Sequence, residues 1–440
     1  MYHLLGIRRE DKNPWERRVP LIPSHARELS REHGLNIRIQ PSKIRVFTDE
    51  DYCRQGIMVE EDLSPCKVIF AVKEIPLNFF EREKVYLFFS HTIKGQPHNM
   101  PMLRRMKELG CTLIDYEKVV DEKGRRLLFF GREAGLAGMI DTLWAVGERL
   151  LREKIGTPLA LIRQARHYIS LSEATEEIKK AGWRIYEEGF PPQLVPFVCG
   201  FAGYGHVSGG AQEIFNLLPF EDISPQKLES FFKGKNYSAH RVYKVVFKEE
   251  HMVKPLSGDE EFSLEDYYLH PEKYTPVFES YLKYLTVLVN CIYWEPKYPR
   301  FVTKKFLKRL FSSDSSPRLR IIGDISCDIE GAVECTLKAT DPAHPVFTYD
   351  PLQDRAVDGF QGRGVVVMAV DNLPAEIPLE SSTNFSQALK PFVPLIARVD
   401  FDQDYESLNL PEPIKKAVIL YRGKFTPPYE YMEKFLKGEV

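Results

Sequence analysis

The 440-residue chain predicts an α/β protein of two lobes, each built on a parallel sheet, with an active-site cleft between them. Three observations carry that prediction. Short apolar runs alternate with helically spaced segments over roughly the first 130 residues. The same alternation starts again near Gln193, beyond a long helical stretch. A glycine-rich turn stands between a strand-like run and a helix at the start of that second series.

In the first series HLLGIRR, NIRIQ, IRVFT, VIFAV, VYLFF and TLIDY read as strands, and HARELSREH and NMPMLRRMKELG as helices. Pro101 falls in the first turn of the second helix, where a missing N–H costs nothing, and Gly110 follows its last turn. Continuous apolar runs interleaved with helices indicate strands covered on both faces, as in parallel sheets. EAGLAGMIDTLWAVGERLLREKI then predicts one long helix whose Gly and Ala positions admit close approach by another helix, a candidate hinge. LVPFVC, HRVYKVVF, VNCIYW, RLRIIGDIS and GVVVMAVDN supply the strands of the second lobe, and the polar, Tyr-rich residues 248–285 read as an insertion in it. From Pro374 onward FSQALKPFVPLIARV and PPYEYMEKFLKG return to helical spacing, and periodicity leaves open which lobe they join.

Composition narrows the function classes. Hydrophobic residues make up 43% and charged residues 28%, the balance of a globular protein. A net charge of −2 gives no field for a polyanion, so nucleic acid is not expected as a partner. No apolar run reaches the roughly 18–20 residues that span a bilayer. The opening MYHLLGIRREDK lacks the features of a signal peptide. The seven cysteines are scattered without CxxC or Cys/His clusters, so neither zinc nor a disulfide framework is expected; reduced thiols, Cys327 and Cys335 included, and a cytoplasmic setting are.

Three constellations carry chemistry. LVPFVC leads into GFAGYGHVSGGAQEIF, with Gly203, Tyr204, Gly205, His206, Val207 and Ser208 at the turn and Gly210 behind. Glycines let the backbone approach a pyrophosphate, and the following helix N-terminus supplies unpaired N–H groups: a Rossmann-like dinucleotide site. Ser208, at the third position of GxGxxG, is small enough for close helix–strand packing. Glu221, 18 residues beyond Gly203, has the spacing of the ribose-binding carboxylate, or is an ordinary surface acid beside Asp222. Second, VIFAV ends on Lys73-Glu74, VYLFF on Ser90-His91 and TLIDY on Glu117. Ligands of open parallel sheets bind beyond the carboxyl ends of the strands, where a desolvated lysine and a histidine can exchange protons. The plain alternative is that each merely terminates a strand. Third, GDISCD ends a strand with Asp324 and Asp328, facing a nicotinamide or simply turning the chain.

These segments together carry a resemblance. GIRREDKNPWERRVPLIP, SHTIKGQPHNMP, FFGREAGLAGMIDTLWAVGERL, GYGHVSGGAQEIFNLLP, GDISCDIEGAVE and VDNLPAEIPLES resemble the lysine–ketoglutarate reductase region of the bifunctional aminoadipate-semialdehyde synthases. More distantly, the chain is similar to the lysine-forming saccharopine dehydrogenases, to alanine dehydrogenase and to the transhydrogenase N-terminal domain. The resemblance runs over essentially the whole chain. It implies an NAD- or NADP-dependent oxidoreductase that joins L-lysine to 2-oxoglutarate as saccharopine, or cleaves it, with a separate saccharopine-oxidising chain as a candidate partner. A same-fold enzyme for another amine, or a nucleotide-binding regulator without turnover, are the competing readings.

Carried over by position, Lys73 matches the family's acid/base lysine and His91 the histidine of the water-handling step. Arg18 matches an arginine for a substrate carboxylate and Lys12 a basic residue near it, in a loop about one residue longer than the family's. Lys94, Glu117, Asp121 and Arg126 fall on charged substrate-pocket positions. One of Asp324 and Asp328 should sit by the nicotinamide, with Asp328 favoured, and Asn372, Leu373 and Pro374 match a segment near the cofactor. The implied layout is a discontinuous substrate domain, 1–131 with 373–440, around a dinucleotide-binding domain at 132–372.

Overall fold

A computed structural model describes residues 2–258, 260–314 and 316–438. It divides into two units, Met1–Phe130 with Pro378–Val440, and Gly131–Ile377.

The first unit opens with β1 (Leu5–Ile7), α1 (Pro23–His33), β2 (Ile37–Ile39), α2 (Asp49–Arg54) and β3 (Met58–Val59). It continues through β4 (Val68–Phe70), β5 (Val85–Phe88), α3 (Met100–Glu108) and β6 (Thr112–Asp115). β1, β4, β5 and β6 are buried along their whole length, as expected of strands covered on both faces. IRVFT is not a strand. Arg45 folds back onto the Gln40 and Phe47 carbonyls, and Thr48 caps α2 in a reciprocal capping box with Asp51. That capping wins over the apolar pattern of Val46 and Phe47.

The second unit begins with α4 (Gly131–Arg152) and α5 (Leu171–Glu188), then β7 (Phe197–Ala202), α6 (His206–Phe215), β8 (Phe220–Asp222) and β9 (Val242–Phe247). β10 (Val253–Pro255) and β11 (Tyr274–Pro276) form a separate antiparallel pair within residues 248–285. β12 (Val287–Asn290), β13 (Ile321–Asp324), β14 (Val346–Asp350), β15 (Arg355–Asp358) and β16 (Val365–Met368) follow. The sheet runs β15-β14-β16-β13-β12-β7-β9-β8, parallel from β16 to β8, with β14 and β15 antiparallel at one edge.

The helix Pro378–Leu389 and the tail that follows belong to the first unit, whose core takes in Phe385, Leu389, Val393 and Ile396. Helical spacing alone misread part of this tail. β17 (Val418–Tyr421) and β18 (Lys424–Phe425) form a hairpin on β6, giving the order β18-β17-β6-β5-β4-β1-β2-β3. Its two-residue turn, Arg422-Gly423, has positive φ at both positions, the geometry that Asn-Gly usually announces and Arg-Gly does not.

Candidate active site

In the first unit the carboxyl ends of β1, β4, β5 and β6 lie side by side, and each carries a titratable group. After β4 the chain runs through Ala71 and Val72 to Lys73 and Glu74. Burial lowers the Lys73 pKa, the Arg18 charge lowers it further, and the Glu16 and Glu74 carboxylates oppose both. Glu74 joins the set: its Oε1 lies 2.9 Å from His91 Nδ1, and both its oxygens accept from Lys12 Nζ, at 2.7 and 2.8 Å. Burial alone would push the Glu74 carboxyl up. The bonds to His91 and Lys12 outweigh it and hold the group well below the usual carboxylate range.

His91 sits at φ 48°, a left-handed conformation uncommon outside glycine, and two neighbours hold it there. Asn99 Nδ2 donates to its carbonyl at 3.1 Å. The preceding Ser90 is fixed by buried Asp115, the last residue of β6, which accepts from the Ser90 amide at 3.2 Å and from its hydroxyl. Burial raises the Asp115 carboxyl to about 6 against those bonds. Arg18 is buried in a two-pronged pair with Glu16, at 2.7 and 2.6 Å, and its guanidinium lies 4.3 Å over the Phe130 ring. The Arg18 loop is pinned by Ser382 and Ser386, whose hydroxyls accept from the Val19 and Ile22 amides.

Lys12, Arg18, Lys73 and His91 therefore fall in one charged cluster. Glu117 pairs with Arg126 at 2.5 Å, one strand along at the end of β6. Lys94 is exposed three residues beyond His91. Asp121 is spent on its own turn, accepting from the Lys123 and Arg125 amides and the Arg125 side chain. Sequence reasoning gave no role to Glu10, Glu16, Glu74 and Asp115. Only Glu74, adjacent to Lys73, carried a signal there.

In the second unit β7 delivers the glycine turn. Gly203 has φ +97°, which a side chain would strain, and a Cβ there would also lie 3.0 Å from Ile292. Gly205 is the N-cap of α6, so the first-turn amides of His206, Val207 and Ser208 head a ten-residue helix. Ser208 is buried. Helices α4 and α6 meet backbone to backbone: a Cβ at Gly135 would lie 1.9 Å from the Val207 carbonyl, and one at Gly210 would lie 2.2 Å from the Arg132 carbonyl. A left-handed glycine, open space at Gly205 and a helix N-terminus fit the pyrophosphate of a dinucleotide.

Glu221 is a correction. In space β7 lies between β12 and β9, and Glu221 lies one strand further out, on edge strand β8 opposite Tyr243. The turn is level with the other end of β9, where the Gly203 amide donates to the Phe247 carbonyl. Four residues of strand, roughly 13 Å, separate the two levels. Glu221 is exposed and paired with Arg241 at 2.7 Å. Spacing failed because the second strand in sequence is not the second in space; the residues that follow β9 beside the turn are Lys248 and Glu249.

Asp324 is buried and fully engaged, accepting from Asn290, Thr336 and the Cys327 amide, and burial raises it to about 6. Asp328 is half-buried in the loop beyond. Asn372 stands just before the short turn Leu373–Glu376, and the Leu373 side chain lies in the core of the unit, leaving only its backbone for a ligand.

Parallel sheets with function-bearing residues at their carboxyl ends and a glycine turn before a helix define the Rossmann-type α/β class. The chain belongs to the alanine dehydrogenase/PNT family: the N-terminal domain model matches residues 6–137 and the C-terminal domain model residues 285–428. It is 38% identical to alpha-aminoadipic semialdehyde synthase of Arabidopsis thaliana, over 99% of this chain and 42% of that protein. It is 35% identical to the mitochondrial alpha-aminoadipic semialdehyde synthase of Mus musculus, over 98% and 48%. The NAD(+), L-lysine-forming saccharopine dehydrogenase of Emericella nidulans is 27% identical, over 87% of this chain and 89% of that one. The chain thus spans under half the length of the synthases. Among solved structures, an L-alanine dehydrogenase superposes with a TM-score of 0.61 at 17% identity, covering 98% of this chain and 99% of the other, a likeness of fold. Among the described residues no helix is long and apolar enough to cross a membrane.

Proposed function

We propose that this chain is an NAD(P)-dependent oxidoreductase that forms saccharopine from L-lysine and 2-oxoglutarate, or cleaves it. The observation that carries the reading is the gathering of Lys73, Glu74, His91 and Lys12 beyond the ends of three adjacent strands, β1, β4 and β5. The synthase and saccharopine dehydrogenase relatives support the same reading.

In the forming direction the reaction consumes lysine, 2-oxoglutarate, reduced dinucleotide and one proton, and releases saccharopine, oxidised dinucleotide and water. Lysine must arrive as its free ε-amine to attack the 2-oxo carbon. Lys73, its pKa lowered by burial, takes that proton. His91 donates to the departing hydroxyl of the carbinolamine, and the Glu74 carboxylate orients its ring through Nδ1. Lys12, Arg18 and Lys94 counter the substrate carboxylates, with Glu117 and Arg126 at the margin. The dinucleotide, when bound, supplies the hydride that reduces the C=N bond. Gly203, Tyr204 and the first-turn amides of α6 would hold its pyrophosphate, and Asp328 with the Asn372-Leu373 backbone would serve its nicotinamide end. A separate saccharopine-oxidising chain is the proposed functional partner.

Initial rates at 340 nm with lysine, 2-oxoglutarate and NADH or NADPH test the assignment. Oxidation that requires both substrates is expected. Oxidation with another amine and none with lysine would reassign the substrate, and none with any amine would remove the enzymatic reading.

A further inference from the structure

Strand β4 ends with two amides that no neighbouring strand receives. Ala71 N–H bonds to the Leu87 carbonyl of β5, and the Val72 carbonyl accepts from Phe89, but the Val72 and Lys73 amides turn the other way. Both go to one side chain. Glu10, three residues beyond β1 and buried, accepts from Val72 N at 2.6 Å through Oε1 and from Lys73 N at 3.0 Å through Oε2. A carboxylate is a costly group to bury for this purpose, since water or a carbonyl would satisfy an amide at less expense. What it provides is a two-point grip on consecutive peptides, one of them that of Lys73. The next residue is Glu74, which binds His91 and Lys12.

We propose that Glu10 is a positioning residue for the Lys73-Glu74 pair: its two carboxylate oxygens fix the peptide from which the reactive amine and the carboxylate that orients His91 project. The proposal rests on the roles given above to Lys73 and His91. It assigns function to a buried acid that touches no reacting atom.

The surroundings couple the grip to pH. Burial pushes the Glu10 carboxyl up to about 7; the Glu16 charge adds to this, while the Val72 amide, Arg8 and the Lys73 amide oppose it. The Tyr116 phenol also faces it. Ionised Glu10 accepts both amides fully. Protonated, it keeps one good acceptor, so the grip tightens as pH rises through 7.

Two readouts on Glu10→Gln and Glu10→Asp test this. The first needs no turnover: acetic anhydride labelling of Lys73 against pH, followed by peptide mass spectrometry, with Lys179 of α5 as internal reference. Lys73 labelling in E10Q should differ at least threefold from wild type near pH 8 while Lys179 is unchanged. The second is steady-state kinetics with lysine, 2-oxoglutarate and reduced dinucleotide. In E10Q, kcat should fall at least tenfold, KM for the dinucleotide should stay within twofold, and the rise in kcat between pH 6 and 8 should flatten. E10D, which keeps the charge on a shorter arm, should fall between the two and replaces E10Q if that variant does not fold. A lowered Tm with wild-type Lys73 labelling and wild-type kcat would mean a structural role only and overturns the proposal. A wild type that is inactive on these substrates refutes the substrate assignment instead, and the labelling still decides Glu10.

Discussion

The two units place their candidate functional residues alike, at the carboxyl ends of a largely parallel eight-stranded sheet, yet the materials differ. The first unit offers side chains: Glu74 in contact with His91 and Lys12, Lys73 beside them, and buried Glu10, Glu16 and Asp115 behind. The second offers backbone: Gly203 in a left-handed turn, the first-turn amides of α6, and no titratable group in the turn but His206 and Tyr204. Proton transfer needs tunable pKa values, and burial among mixed charges supplies them. Pyrophosphate recognition needs fixed dipoles and close approach, for which a side chain would be an obstruction.

If that division is right, substitutions in the two units should fail in different ways. Replacing Lys73 by Met should cost the most, about a thousandfold in kcat, the range of a lost acid/base group. Gly203→Val should leave the first unit intact and weaken dinucleotide binding about a hundredfold, since φ +97° excludes a branched side chain, as titration of NADH fluorescence will measure. Glu74→Gln should lower kcat about tenfold by loosening His91 and Lys12. Its second effect is on acid stability. A carboxylate depressed in the folded state stabilises above its ordinary pKa and loses that contribution as pH falls, so wild type should lose its advantage over E74Q on acidification, as thermal melts at pH 6 and pH 3 will record.

Glu10, Asp115 and Asp324 have the opposite sign. Their folded pKa values are raised, to about 7, 6 and 6, so their favourable contribution is complete below the unfolded carboxylate range and is lost as pH rises through 6–7. Thermal melts should show Tm falling between pH 5 and pH 8, and falling less in E10Q. The smallest effect belongs to Glu221→Ala: an exposed pair with Arg241 is worth about 0–1 kcal/mol, and the NADH-to-NADPH preference should stay within twofold of wild type.

Much of this contrast was legible in sequence. Strand ends bearing Lys73 and His91, and a glycine turn between β7 and α6, follow from periodicity and local chemistry. Three things were not. Glu221 looked right because spacing counts residues, whereas the ribose position depends on which strand lies beside β7. The contacts of Glu10 and Asp115 arise only when separate strands lie side by side, since each grips the end of the strand next to its own. The β17–β18 hairpin was hidden behind an Arg-Gly turn that carries no strong hairpin signal.

The division of labour is tested most directly by measuring, in Lys73→Met, the dinucleotide Kd and the single-turnover rate of its oxidation with lysine and 2-oxoglutarate. The Kd should stay within twofold of wild type and the rate should fall at least a hundredfold. A Kd that rises in step with the loss of rate, or a rate that survives unchanged, would contradict that division.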